Sequence, residues 1–133
     1  FPTSALCLRP PEEAVADLPI GDGDYAVVMT HDHACDQRVV QSLLRRPLRF
    51  VGMIGSRAKQ RKFALRLRAR GHSDEEIARL RTPLGAEIGA QTPEEIAVSA
   101  MAELIAARRT GAAAGGAAAT WIPPLRAPER QPT

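Results

Sequence analysis

Cysteine is scarce: Cys7 and Cys35 stand far apart and outside any C-x-x-C spacing. Two cysteines are too few for the disulfide framework of a small secreted domain and give no zinc-binding pattern, so a reducing cytoplasm is the expected setting. Aromatic residues are also few, with one Trp, one Tyr and three Phe. That leaves little on which unpaired bases could stack. Neither sign of charge dominates, because 18 Lys plus Arg oppose 15 Asp plus Glu for a net +3. So small a surplus does not by itself indicate nucleic acid or an anionic membrane. No apolar run approaches the roughly 20 residues of a bilayer span, and FPTSALCL has no basic flank ahead of an apolar stretch, so no membrane association is expected. A G-x-G-x-x-G turn with an acidic residue after the second strand is missing as well. A nicotinamide-dependent oxidoreductase needs that turn, and the chain would qualify only as a fragment of one.

At 133 residues the chain suits one modest domain, which we expect over residues 1–110. Residues 111–133 (GAAAGGAAATWIPPLRAPERQPT) are rich in Gly, Ala and Pro. Such a composition predicts a disordered tail whose sole anchor is Trp121 with Ile122. The first residue is Phe, not Met, and the expectation is a piece of a longer protein.

Between those limits, short apolar runs alternate with helical signals. SALCL (4–8), YAVVMT (25–30) and RFVGMIG (49–55) are continuously apolar and rich in β-formers, the pattern of strands buried on both faces. Val39, Val40, Leu43 and Leu44 recur at helical spacing and stop before Pro47. SRAKQRKFALRLRARG places Phe63, Ala64 and Leu67 on one side and ends at Gly71. Ser73 with Glu76 forms a capping box for a short helix. Thr92, Pro93 and Glu95 open a longer one, with Ile96, Ala100, Met101, Leu104 and Ile105 as its apolar stripe. These signals predict an α/β fold with parallel strands near 4–8, 25–30 and 50–54, and helices near 33–46, 57–70 and 93–109. Right-handed crossovers then bring the carboxyl ends of all strands to one edge, where such folds bind ligands.

Two polar stretches fall on that edge. In THDHACD (30–36), Asp32 suits an N-cap, Asp36 complements the helix dipole and Thr30 can close a strand. Capping leaves His31 and His33 unexplained. Asp32, Cys35 and Asp36 share a helical face at i, i+3 and i+4, but no HxxxH, HxxxE or second cysteine completes a metal site. Cys35 is the one weak metal candidate, and alternatively a thiolate activated by the helix start or a small buried residue. In GMIGSRAK (52–59), Gly52 and Gly55 permit a tight turn and Ser56 is a natural N-cap. The helix start beyond it can accept phosphate. From Arg57 to Arg70 there are seven basic residues and no acid. The residues near the first turn, Arg57 and Lys59, are the expected anion holders, whereas Lys62 lies beyond the reach of the helix end. A solvated basic face, or a nucleic-acid-binding module built on the Arg-rich helix, are the alternatives.

THDHACD, FVGMIGSRAK and PLGAEIGAQTPEEIAVSAMAELIA, in this order, resemble the C-terminal Rossmann-type domain of the XdhC/CoxI family of xanthine dehydrogenase accessory proteins. The resemblance covers roughly residues 1–110. The family pattern is met at Thr30, His31, Asp32 and Asp36, at Gly52, Ile54, Gly55, Ser56 and Lys59, and at Pro83, Gly85, Ile88, Gly89, Thr92, Pro93 and Glu94. Ala86 and Glu87 replace the usual leucine and aspartate, and the upstream glycine-rich turn and cysteine-bearing domain of the family have no counterpart.

The resemblance implies a Rossmann-like three-layer fold, truncated on its N-terminal side. It implies a cytoplasmic chaperone, not an enzyme, that binds molybdenum cofactor (molybdopterin). The chaperone protects the cofactor while a cysteine desulfurase supplies its terminal sulfur, and passes it to xanthine dehydrogenase or a related molybdoenzyme. A nucleotide in the crevice and a homodimer stay open. The expected cofactor-binding residues are Thr30, His31, Asp32, His33, Asp36, Gly52, Gly55, Ser56, Arg57 and Lys59, with the histidines and Asp32 at the pterin and the Ser56 turn at its phosphate. No catalytic residue is expected.

Overall fold

A computed structural model of the chain describes residues 7–110. Eight elements follow in order: α1 (Pro11–Asp17), β1 (Tyr25–Val28), α2 (His33–Leu44), β2 (Phe50–Met53), α3 (Arg57–Ala69), α4 (Asp74–Ala78), β3 (Leu80–Arg81) and α5 (Pro93–Thr110). The sheet has the order β1-β2-β3 and both pairings are parallel, with Val27 opposite Gly52 and Val51 opposite Leu80. All three carboxyl ends therefore share one edge, as the alternation of strands and helices predicts.

The central strand is buried along its whole length, which explains why FVGM reads as an unbroken apolar run. On one face of the sheet, Val40, Leu43 and Leu44 of α2 and Phe63 and Leu67 of α3 pack against Val28, Val51 and Met53. On the other, Phe50, Leu84 and Ala100 form a smaller core with Tyr25, Val27 and Leu104 around it. Tyr25 and Phe50 stack with ring centroids 6.0 Å apart, an attractive separation for neighbouring strands. Backbone bonds carry the ladder past the strand ends, from Ile54 N to Val28 O at 3.1 Å and from Leu84 N to Met53 O at 3.1 Å.

Arginines close the helix ends that the sheet leaves bare. Arg79 donates to the carbonyls of Leu44, Arg46 and Leu48, each at 2.9 Å, and so satisfies the end of α2 and the turn behind it. Arg46 does the same for α1 through Val15 O and Leu18 O at 2.6 Å. The capping boxes form where Ser73 and Thr92 predict them: Ser73 Oγ accepts from Glu76 N, and Thr92 exchanges bonds with Glu95.

Three expectations change. Residues 4–6 of the expected first strand lie outside the described residues, and its last two, Cys7 and Leu8, belong to no strand. Instead α1 follows directly, opened by Pro11 at its first position and Glu12 and Glu13 in its first turn. The sequence does not announce the short strand β3, because two residues carry no readable period. In α5 the buried residues are Ser99 and Ala100, whereas Met101 and Ile105 are about half exposed and Val98 is more so. The expected tail at 111–133 lies outside the described residues. Among the described residues no helix is long and apolar enough to cross a membrane.

Candidate functional site

Three loops leave the carboxyl edge of the sheet, and each carries one of the sequence motifs. After β1 the chain runs through Thr30 to Asp32, which caps α2 by accepting from Ala34 N at 2.9 Å. Asp36, one turn into α2, is almost fully buried, with 1% of its side chain exposed. Its Oδ1 accepts from Thr30 N at 3.1 Å and from Thr30 Oγ1 at 2.7 Å. Its Oδ2 faces Lys59 Nζ of α3 at 2.7 Å. That ammonium also donates to Ile54 O at 3.3 Å and sits 5.4 Å from the centre of the Phe63 ring. Burial pushes the Asp36 carboxyl upward, but the bonds from Lys59 and Thr30 outweigh it, and the net direction is down. Asp36 is thus an ionised strut between the loop after β1 and the helix after β2.

The second loop turns at Gly55, where a Cβ would come within 2.8 Å of Lys59 Cδ. Ser56 then caps α3, its Oγ accepting from Lys59 N at 3.1 Å. The third loop, PLGAEIG, reaches the same edge. Gly85 adopts φ +129 with its N–H on Glu103 Oε2 at 2.6 Å, and Arg81 holds the other oxygen of that carboxylate at 2.9 Å. Beyond it, Glu87 pairs with Arg57 at 2.8 Å in the open.

Between the first two loops lies a cavity of about 590 Å³, lined by Met29, Thr30, His33, Ile54, Gly55, Ser56, Ala58, Lys59, Lys62, Phe63 and Arg66. Of the residues expected to bind a ligand, Thr30, His33, Gly55, Ser56 and Lys59 meet there. His31, Asp32, Asp36, Gly52 and Arg57 do not line it. Asp32 and Asp36 shape the loop instead, and Arg57 pairs with Glu87. Gly52 is a packing residue, since a Cβ on it would lie 2.8 Å from both Leu84 Cδ1 and Phe50 Cε1.

Lys62 and Arg66 also line the cavity, and sequence reasoning confined to the first turn of α3 passes over them. Helical spacing from Lys59 would have found them, because positions three and seven residues on share its face. A neighbouring groove of about 610 Å³ beside β1 is lined mainly by apolar side chains of α1, β1 and α2, and offers little chemistry.

Cys35 does not line the cavity. It is buried, and its Sγ donates to Glu12 Oε2 at 3.5 Å. Burial and the adjacent carboxylate push its pKa up, in keeping with the alternative of a small buried residue. With Asp36 occupied by Lys59 and Thr30, the Asp32–Cys35–Asp36 face is not assembled for a metal. Among the described residues no group of three or more His, Cys, Asp or Glu could hold one.

Known proteins resemble both the sequence and the fold. The chain is 36% identical over 107 residues to the uncharacterized protein YqeB of Escherichia coli (strain K12), covering 79% of this chain and 19% of that protein. It is 32% identical over 99 residues to a probable xanthine dehydrogenase subunit of Bacillus subtilis (strain 168), covering 74% of this chain and 28% of that protein. A crystal structure described as a xanthine dehydrogenase from Bacillus halodurans superposes with a TM-score of 0.69 at 31% identity, over 90% of this chain and 34% of that one. The chain thus spans between about a fifth and a third of the length of these relatives. Residues 2–104 match the XdhC Rossmann domain, and with that match, the parallel sheet and the three motifs gathered at its edge, the chain belongs to the XdhC Rossmann-domain family.

Proposed function

We propose that the chain is the cofactor-holding part of an accessory factor for a xanthine dehydrogenase or a related molybdenum hydroxylase. In this reading it takes molybdenum cofactor as cargo, shelters it while a cysteine desulfurase supplies sulfur, and delivers it to the hydroxylase. It catalyses no step itself. The names of two relatives, a xanthine dehydrogenase and a probable subunit of one, support the choice of partner.

The observation that carries the reading is the cavity shared by the ends of β1 and β2. Its volume of about 590 Å³ falls in the range of small-molecule sites. Met29, Ile54 and Phe63 give it apolar wall, while Thr30, His33 and Ser56 bring polar atoms to its rim. That mixture suits a flat pterin with hydrogen-bonding edges. No thiolate lines the cavity, because Cys35 faces Glu12; the side chains there that could act as metal ligands are the His33 imidazole and the Met29 thioether.

The test is to purify the 133-residue chain from cells that make molybdopterin and from cells that do not. Oxidised pterin would be read by fluorescence and molybdenum by mass spectrometry. Pterin bound to the first preparation and lost on His33→Ala is the expected result. A bound nicotinamide nucleotide in place of pterin would overturn it.

A further inference from the structure

α3 carries more positive charge into the cavity than the helix start alone would place there, and the charges are not equivalent. Lys59 is already engaged, with its ammonium on Asp36 at 2.7 Å and on Ile54 O at 3.3 Å and only 16% of its side chain exposed. Lys62 and Arg66 line the same cavity. Among the described residues neither has a carboxylate partner, although Arg38, Arg57, Arg68 and Arg81 each have one. They stand four residues apart on one helical face, where like charges repel. Among the described residues no Asp or Glu lines the cavity to relieve them. An exposed lysine and arginine converging on a cavity with no acid form a wall that an anion completes. Arg66 can grip two oxygens of such a group, and Lys62 adds a point charge beside it.

We infer that Lys62 and Arg66, not Lys59, hold the phosphate of the ligand, so that the cavity selects a phosphomonoester joined to a flat heterocycle. Lys59 is a positioning residue that fixes the wall of the site through Asp36. The phosphate assignment stands on the cavity alone; that the heterocycle is a pterin rests on the function proposed above. A phosphorylated pterin and a mononucleotide share this chemistry, and the ligands in the test tell them apart.

The test is calorimetric titration of the 133-residue chain with neopterin monophosphate, neopterin, AMP and inorganic phosphate. The variants are Lys62→Gln, Arg66→Gln and Arg66→Lys, with Arg70→Gln as the control. Arg70 ends the same helix, carries the same charge and does not line the cavity. Loss of a charge-assisted phosphate bond should weaken neopterin monophosphate about tenfold or more in each Gln variant. Neopterin should be unchanged, Arg70→Gln close to the parent chain, and Arg66→Lys between the two.

Equal losses in Arg70→Gln would reduce the effect to diffuse attraction and overturn the inference. So would neopterin monophosphate binding that ignores Lys62 and Arg66, although a pterin ligand would then survive. If AMP binds in a manner dependent on Lys62 and Arg66 while neither pterin binds, the phosphate wall stands and the molybdenum cofactor reading falls. If none of the four compounds binds the parent chain, both fall. Circular dichroism melts confirm folding, which substitutions at exposed positions should leave intact.

Discussion

Lys59 Nζ lies 2.7 Å from Asp36 Oδ2, and this contact ties α3 to α2 beneath the cavity. Both charges are largely out of solvent, so removing either one strands the other. Asp36→Ala should destabilise the chain by about 3 kcal/mol or more, and Lys59→Met by a similar amount. The double variant Asp36→Leu/Lys59→Met should recover much of that loss, because a buried pair replaced by apolar groups of like volume is often neutral. Urea unfolding of the four proteins closes the cycle. Additive losses would show that the pair does not act as a unit.

The same carboxylate makes stability depend on acid. Asp36 titrates below its ordinary value in the folded chain, despite burial, because Lys59 and Thr30 favour the ionised form. A depressed folded pKa adds stability above the unfolded value near 3.8, and that stability disappears as pH falls through the folded value. Asp36→Asn should therefore melt well below the parent chain at neutral pH and approach it as pH drops under about 4. Glu12 and Glu95 are also shifted down, so the variant keeps part of the acid limb. Thermal melts across the pH range check both statements. A gap that stays constant with pH would mean that the Asp36 charge contributes nothing.

Much of this arrangement is legible in the order of residues. Unbroken apolar runs mark β1 and β2, Pro47 and Gly71 bound two helices, and Ser56, Ser73 and Thr92 open three. These signals are local, and local chemistry decides them. The Asp36–Lys59 bond spans 23 residues. From sequence, Lys59 looks like a free cation at a helix start, and only the packing of two helices shows it neutralised. The exposure of Met101 and Ile105 has a related origin. α5 is apolar on more than one side, so its pattern does not say which side the small core around Phe50 will take. α1 has a proline-first, acidic start, but seven residues with none buried leave no periodic stripe.

Gly52 reads from sequence as a turn residue near the ligand and is instead a packing position in the central strand. A methyl group there would press on Leu84 and Phe50 at 2.8 Å, and both are buried. Gly52→Ala should cost about 1–3 kcal/mol of stability by overpacking. Combining it with Leu84→Ala should cost less than the sum of the two, since the new methyl group fills part of the space vacated. Affinity for phosphate should not change in whatever fraction stays folded. Weakened phosphate binding without loss of stability would return Gly52 to the site.

Glu103 anchors the third loop, and its two oxygens do different work. Oε1 lies 2.9 Å from Arg81 Nε, while Oε2 accepts from Gly85 N at 2.6 Å. The Glu103 side chain is only 12% exposed, and its bond with the Gly85 N–H is part-buried. Glu103→Gln keeps a carbonyl oxygen for one of these donors and loses the charge. Glu103→Ala strands both, and an unsatisfied buried donor costs about 1–3 kcal/mol. We expect the Ala variant to be the less stable by at least about 1 kcal/mol on that count. Amide hydrogen exchange at Gly85 should accelerate far more in Ala than in Gln. If the two variants unfold at the same urea concentration and exchange Gly85 equally fast, the loop is held by the charge on Arg81 and not by the bond to Gly85.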